Sequence, residues 1–257
     1  MEISPDALQQ LRVELRPLIG VQFDVLKLPR GVLSAFEPSQ IGTMVGVLMD
    51  ACIPHLAAIV QNTETLSQLG IRKHPGIFGD REGYPDYLHE PTGRRLELKL
   101  LYVDPVGLIM KKPPTPREPS ARLTQKVTVK NVDPANDALL VLAYQLRPNV
   151  NDPDLFSPTI ISFEVFSMIE CIRARDRRLS DGGGRWMGDY ETPVVISQQG
   201  RKAKRMGIPL GVTYGRKANE GHHWNEDTNF GKLARIPYPP LRAFLQQAGV
   251  AVSDEQE

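Results

Sequence analysis

Cysteine is scarce in this chain of 257 residues: Cys52 and Cys171 are the only two. Lying far apart, they argue against a disulfide framework and cannot form a zinc site by themselves. Cys52 falls on an apolar helical face and reads as a buried small hydrophobe. Long apolar runs are also lacking, since none approaches the roughly 18 residues a membrane span needs. The first residues, with Glu2 and Asp6, lack the pattern of a signal peptide, so a cytoplasmic location is expected. Excess charge is missing as well: 31 basic and 30 acidic residues leave a formal +1, so the whole chain carries no global nucleic-acid signature. A nucleotide-binding P-loop pattern is absent, which argues against an ATP-driven enzyme. What remains, 41% hydrophobic and 24% charged, is an ordinary globular composition, long enough for one substantial core. A single domain over residues 1–257 is expected.

The most informative stretch runs from Gly83 to Val103. Pro91-Thr92-Gly93 is turn chemistry between two runs that can extend, which predicts a β-hairpin whose second strand covers Arg94 to Val103. Asp86 then lies on the first strand. Side chains alternate across a strand, so Glu97 and Lys99 share one face while Leu96, Leu98, Leu100 and Tyr102 point the other way into a core. Two carboxylates and an ammonium meet at one spot. Asp86, Glu97 and the backbone carbonyl of Leu98 are hard oxygen ligands of the kind Mg²⁺ takes, and Lys99 could orient an attacking water. Asp80 and Glu82 add acidic groups upstream that could substitute for Asp86, although Gly79 and Gly83 favour a loop there. A simpler reading makes Glu97 and Lys99 an exposed ion pair on an amphipathic strand, worth under ~1 kcal/mol.

Pro85-Asp86, ten residues, then Glu97-Leu98-Lys99 resembles the PD-(D/E)XK nuclease signature, in the form found in type II restriction endonucleases. The resemblance covers about twenty residues. It implies a restriction-endonuclease-like fold, with Asp86, Glu97 and Lys99 catalytic and Asp86, Glu97 and Leu98 holding Mg²⁺, for which Mn²⁺ substitutes. It further implies a site-specific endonuclease that cuts double-stranded DNA to 5′-phosphate and 3′-hydroxyl ends, acts as a homodimer, and has a DNA methyltransferase as its genetic partner. Glu37, at the start of a helix, is an accessory acid by the same resemblance, or simply favourable at the helix dipole. Other nucleases of the superfamily (a nicking repair enzyme, a resolvase, an exonuclease) or a DNA-binding module with a lost site remain as alternatives.

Taken in order, the chain predicts an α/β fold with a mixed central sheet flanked by helices. Asp6 to Arg16 has helical period, with Ser4 as N-cap and Pro5 first in the helix. Val21 to Leu28 alternates in part and suggests a short strand. The clearest helix spans about Pro38 to Val60, with Ile41, Met44, Val45, Leu48 and Cys52 on one face, Gly42 and Gly46 permitting close packing, and Pro54 interrupting it. A short helix near Thr63 to Leu69 stops at Gly70. The proline-rich segment at Lys111-Lys112 reads as an extended surface loop, either a basic arm or a solvated connector. Strands are expected at Arg122 to Lys130, at Asp137 to Gln145, whose apolar run suits a central strand, and at Pro158 to Phe166. The last flows into a helix with Ile169, Ile172 and Arg173 toward its buried side. On the first of these strands Lys126 becomes a candidate phosphate contact.

From Cys171 to Arg235 the chain turns basic, with no acidic residue between Gln198 and Lys217. A one-signed run is the electrostatic footprint of phosphate binding, and Arg201, Lys202, Lys204 and Arg205 are its first candidates. The loop from Asp181 to Trp186 reads either as a flap over a duplex or as a linker. Beyond it, Arg216, Lys217, Asn219, His222, His223 and Asn225 form a polar stretch suited to reading base edges. A ββα-metal site there would need a histidine beyond His223, and none follows. A helix from Pro239 to Ala248 closes the chain before a disordered tail at 253–257.

Overall fold

The computed structural model describes residues 1–60, 66–77, 83–103, 111, 121–124, 127–129, 132–181 and 233–249. They fall into two compact units, one of Glu2–Pro119, Ala135–Ser167 and Pro239–Glu257, the other centred on Ser120–Pro134 and Met168–Tyr238.

The first unit opens with α1 (Pro5–Leu15), whose Ser4 hydroxyl accepts the Ala7 N–H at 3.2 Å and satisfies one of the orphan donors of the first turn. The strand expected at Val21 to Leu28 is reduced to a bridge between Gln22 and Thr159 and to β1 (Leu28–Pro29), because the Leu26 N–H turns back to the Phe23 carbonyl. After α2 (Arg30–Leu33) comes α3 (Pro38–Cys52), then a single tight turn Ile53–His55 and α4 (Leu56–Ile59). Pro54 imposes this break, since it has no N–H for the Asp50 carbonyl four residues back.

The buried face of α3 differs from the expected one. Ile41, Val45 and Met49 are in the core, whereas Met44 and Leu48 are 41% and 48% exposed. Gly42 explains the rotation: a methyl placed on it would lie 3.2 Å from Tyr102 Cβ, and its carbonyl accepts the Tyr144 hydroxyl at 3.0 Å. The helix therefore seats on its glycine side. The segment Pro38–Ile59 is, contrary to expectation, long and apolar enough by composition to cross a membrane, at mean hydropathy 1.5. The same composition serves a helix that lies on a core, as Ile41, Val45 and Met49 do here.

The sheet runs β1, β7 (Leu155–Ser167), β6 (Asp137–Pro148), β4 (Arg94–Val103), β3 (Tyr87–His89), β2 (Ile71–Lys73). It is mixed, as expected: β4 and β6 are parallel and every other pair is antiparallel. The apolar run of β6 puts it at the centre, buried continuously from Asp137 to Tyr144. On one face Leu96, Leu98, Leu140, Leu142 and Tyr144 join the core shared with α1 and α3. On the other, Phe166 of β7 meets Phe244 edge-on at 6.3 Å, from the closing helix (Pro239–Gln247).

In the second unit β5 (Arg122–Thr124) pairs with β8 (Leu233–Arg235), and α5 (Met168–Asp181) carries the buried Cys171 and Ile172. The closing helix is α6. The strand expected to reach Lys130 stops at Thr124, where the Val127 N–H turns back to the Thr124 carbonyl. Arg175, and not the exposed Arg173, faces inward: it donates to the Thr124 and Val127 carbonyls at 2.8 and 2.7 Å and to Asp176 at 2.8 Å. Three charge-assisted bonds make a fully buried guanidinium tolerable.

The seating of α3 gives a direct test. Gly42→Val would force a branched side chain against Tyr102, and overpacking of this kind costs about 1–3 kcal/mol. Chemical denaturation should show that loss, and an unchanged midpoint would mean α3 does not rest on this glycine.

Candidate active site

The geometry of the site follows from where a strand ends. β2 and β3 pair from Ile71↔His89 to Lys73↔Tyr87, and β3 pairs with β4 from His89↔Arg94 to Tyr87↔Leu96. Gly93 closes the turn with φ of +67°, a conformation that suits glycine. Because β3 stops at Tyr87, the edge of β4 beyond Leu96 has no strand beside it among the described residues. Asp86, one residue ahead of β3, fills the gap with its side chain: the Leu98 N–H donates to Asp86 Oδ2 at 2.7 Å. The N–H and C=O of one strand residue face the same neighbour, so the Leu98 carbonyl also looks onto this open edge. Glu97 lies on the strand face opposite Leu98, and Lys99 Nζ donates to its Oε1 at 2.6 Å. The hairpin thus brings Asp86, Glu97 and Lys99 together.

Burial decides the electrostatics. Glu97 is 6% exposed, which rules out the reading of a solvated surface ion pair. Desolvation pushes its carboxyl up to about 7 from an ordinary 4.5, against the pull of Lys99 and with the push of Asp86. Desolvation also raises Asp86, although Lys99 and the Leu98 N–H oppose the shift. For Lys99 burial works against the charge, but Glu97 and Asp86 outweigh it and hold the ammonium firmly protonated. Among the described residues Glu97 Oε2 is buried without a geometric hydrogen-bond partner, a state that a proton shared with the adjoining Asp86 carboxyl, or a cation, would satisfy. A divalent cation fits this donor set of two carboxylates and a carbonyl, the kind of partial shell that Mg²⁺ completes with water. Among the described residues no group of three or more His, Cys, Asp or Glu side chains is placed to hold a metal.

Three residues that the sequence did not point to adjoin the pair. The carbonyl of Asp50, deprived of its helical donor by Pro54, accepts instead from the Tyr87 hydroxyl at 2.7 Å, and Asp50 Oδ1 accepts from the same hydroxyl at 2.6 Å. Lys73 Nζ sits 4.4 Å from the Tyr87 ring centre and 3.7 Å from Asp50 Oδ2. Asp50 acts on the site through its charge, raising Asp86 and helping to keep Lys99 protonated. The signal available for Asp50 was Pro54, four residues on. Glu37 is placed elsewhere. It forms the N-terminal capping box of α3 with Gln40, about 20 Å along the helix axis from Asp50 at 1.5 Å per residue, and so lies outside this cluster.

The remaining expectations fall beyond the described residues: Asp80 and Glu82, Lys126, the basic residues Arg201, Lys202, Lys204 and Arg205, and the polar stretch Arg216, Lys217, Asn219, His222, His223 and Asn225. No protein-family model, no curated protein and no solved structure matches the chain.

The raised Glu97 carboxyl has a pH signature. Between pH about 4.5 and about 7 the unfolded chain has lost a proton that the fold retains, so this group's contribution to stability falls as pH rises through that window and is flat above it. In metal-free protein, Glu97→Gln should gain stability over the wild type progressively from pH 5 to 7. Thermal melts in chelator across that range check it, and a pH-independent difference would mean Glu97 is not held neutral by its surroundings.

Proposed function

We propose that this chain is a Mg²⁺-dependent endonuclease of double-stranded DNA with a PD-(D/E)XK, restriction-endonuclease-like fold. The observation that carries the reading is the convergence of Asp86, Glu97 and Lys99 at the open edge of β4, with Asp86 on the Leu98 N–H and Lys99 on Glu97. DNA as the substrate, and site specificity of the type II restriction class, rest on the resemblance of Pro85-Asp86 and Glu97-Leu98-Lys99 to that signature and on the one-signed basic stretch near Arg201 to Lys217. A homodimer, a cytoplasmic location and a methyltransferase partner belong to the same reading. A bound Mg²⁺ supplies a water of lowered pKa and neutralises charge developing on the scissile phosphate.

The chain's own residues would do the following. Asp86 and Glu97 hold the cation, Asp86 fixed in direction by the Leu98 N–H, and the Leu98 carbonyl completes the protein's share of the shell. Lys99 spends one of its three donors on Glu97 and offers the others to the attacking water and a phosphate oxygen. Asp50 and Lys73 stand at the rim, Asp50 adding negative potential at the cation and Lys73 a charge for an incoming phosphate. A DNA-binding module with a lost site would need none of this buried charge, whose desolvation is costly without a task.

Supercoiled plasmid digestion with Mg²⁺ or Mn²⁺ tests the proposal. The wild type should cut, while Asp86→Ala, Glu97→Ala and Lys99→Ala should each lower the rate by at least about 10²- to 10³-fold, in line with loss of a preorganised electrostatic group, and remain folded by circular dichroism. Cutting at the wild-type rate by the Lys99 variant, or none by the wild type on any DNA, would refute it.

A further inference from the structure

Two residues ahead of Asp86 stands Tyr84, only 1% exposed, whose hydroxyl donates to Asp137 Oδ2 at 2.5 Å. Asp137 opens β6 and lies opposite Arg95 in the parallel register of β4 and β6. Arg95 closes on both carboxylate oxygens, Nε to Oδ1 at 2.5 Å and an Nη to Oδ2 at 2.7 Å. Because Arg95 precedes Glu97 by two positions, the two share a face of β4. The Tyr84 carbonyl accepts the Ile77 N–H at 2.7 Å, and the His74 N–H donates to the Asp86 carbonyl at 3.0 Å. The backbone on both sides of Pro85 is thereby tied to the segment after β2, while the Tyr84 side chain ties it to β6 and, through Arg95, to the strand that carries Glu97.

We infer that Tyr84 is a positioning residue, acting through Asp137 and Arg95 to set the separation of Asp86 from Glu97 and with it the affinity of the pair for a divalent cation. This rests on the reading that Asp86 and Glu97 hold such a cation. The Tyr84 hydroxyl donates to Asp137, and the role assigned to it is positional, not chemical. Its role is geometric: Asp86 sits on a short link outside the ladder, held by its side-chain bond from Leu98, by the adjoining Glu97 carboxyl and by what fixes its backbone. The guanidinium fork and the hydroxyl together give Asp137 three hydrogen bonds, a rigid anchor in a low-dielectric surrounding. A tyrosine that merely filled the core would, on losing its hydroxyl, change stability and leave cation affinity alone.

The test uses the full chain without DNA and reads Mn²⁺ binding directly from the electron paramagnetic resonance signal of the free ion. Tyr84→Phe keeps the ring and removes the donor, and Arg95→Lys replaces the two-pronged contact by a single one. Each should weaken Mn²⁺ binding about ten-fold, the low end of what loss of a ligand's direct outer partner does, because these residues act on the ligands one step removed. In plasmid cleavage the same variants should need correspondingly more Mg²⁺, with kcat at saturating Mg²⁺ within about three-fold of wild type, a split that a stability defect alone does not produce. Binding within two-fold of wild type in whichever variant stays folded overturns the inference while leaving the cation site standing. A kcat that stays low at saturating Mg²⁺ overturns it too. Absence of any Mn²⁺ binding by the wild-type chain overturns the site reading and the inference together.

Discussion

Everything at the site depends on the hydrogen bond from the Leu98 N–H to Asp86 Oδ2. It exists because β3 is three residues long and β4 is ten, so the longer strand would otherwise show a bare edge next to its most buried charge. A carboxylate standing in for a strand is directed by the backbone amide it accepts from, and amides in a sheet are among the most rigid donors a protein has. The cost is desolvation. Asp86 and Glu97 are brought out of water beside one another, and Lys99 offsets only part of that penalty. A pair so arranged holds a proton more readily than two ordinary carboxyls, and on the proposed reading an arriving cation would displace it.

The hydrophobic side of β4 is what makes such strain affordable. Leu96, Leu98, Leu100 and Tyr102 belong to the core that α1 and α3 cover, and β6 lies alongside in parallel register for nine consecutive pairs. The charged residues therefore project from a strand that cannot readily shift. α3 contributes twice: Gly42 lets it approach Tyr102, and its broken C-terminal end presents the Asp50 carbonyl and carboxylate to Tyr87. A proline at the helix end thus becomes part of the site.

What was legible in the sequence was local. The alternation through Glu97 and Lys99, the turn at Gly93 and the apolar run of β6 each express a short-range rule, and β4 spans the residues its pattern predicts, Arg94–Val103. Asp50 was not legible from its own surroundings in sequence, because its place depends on how α3 crosses the sheet, and Glu37, a candidate by family resemblance, serves as the helix cap that its position at the start of α3 also allowed. The α3 stripe erred for a related reason: periodicity admits several adjacent faces, and a close contact at one glycine chose among them. Arg175 escaped notice since a charged residue on a basic helix ordinarily faces solvent, and nothing nearby in sequence announces the two carbonyls it satisfies.

The central claim is that Asp86 and Glu97 share a proton which a divalent cation displaces. Calorimetric titration of Mg²⁺ into the chain, repeated in buffers of different ionisation enthalpy, counts that proton. The account predicts net proton release near pH 6, declining toward zero by pH 8 and largely absent in Glu97→Gln. Binding without proton release at pH 6 would contradict it.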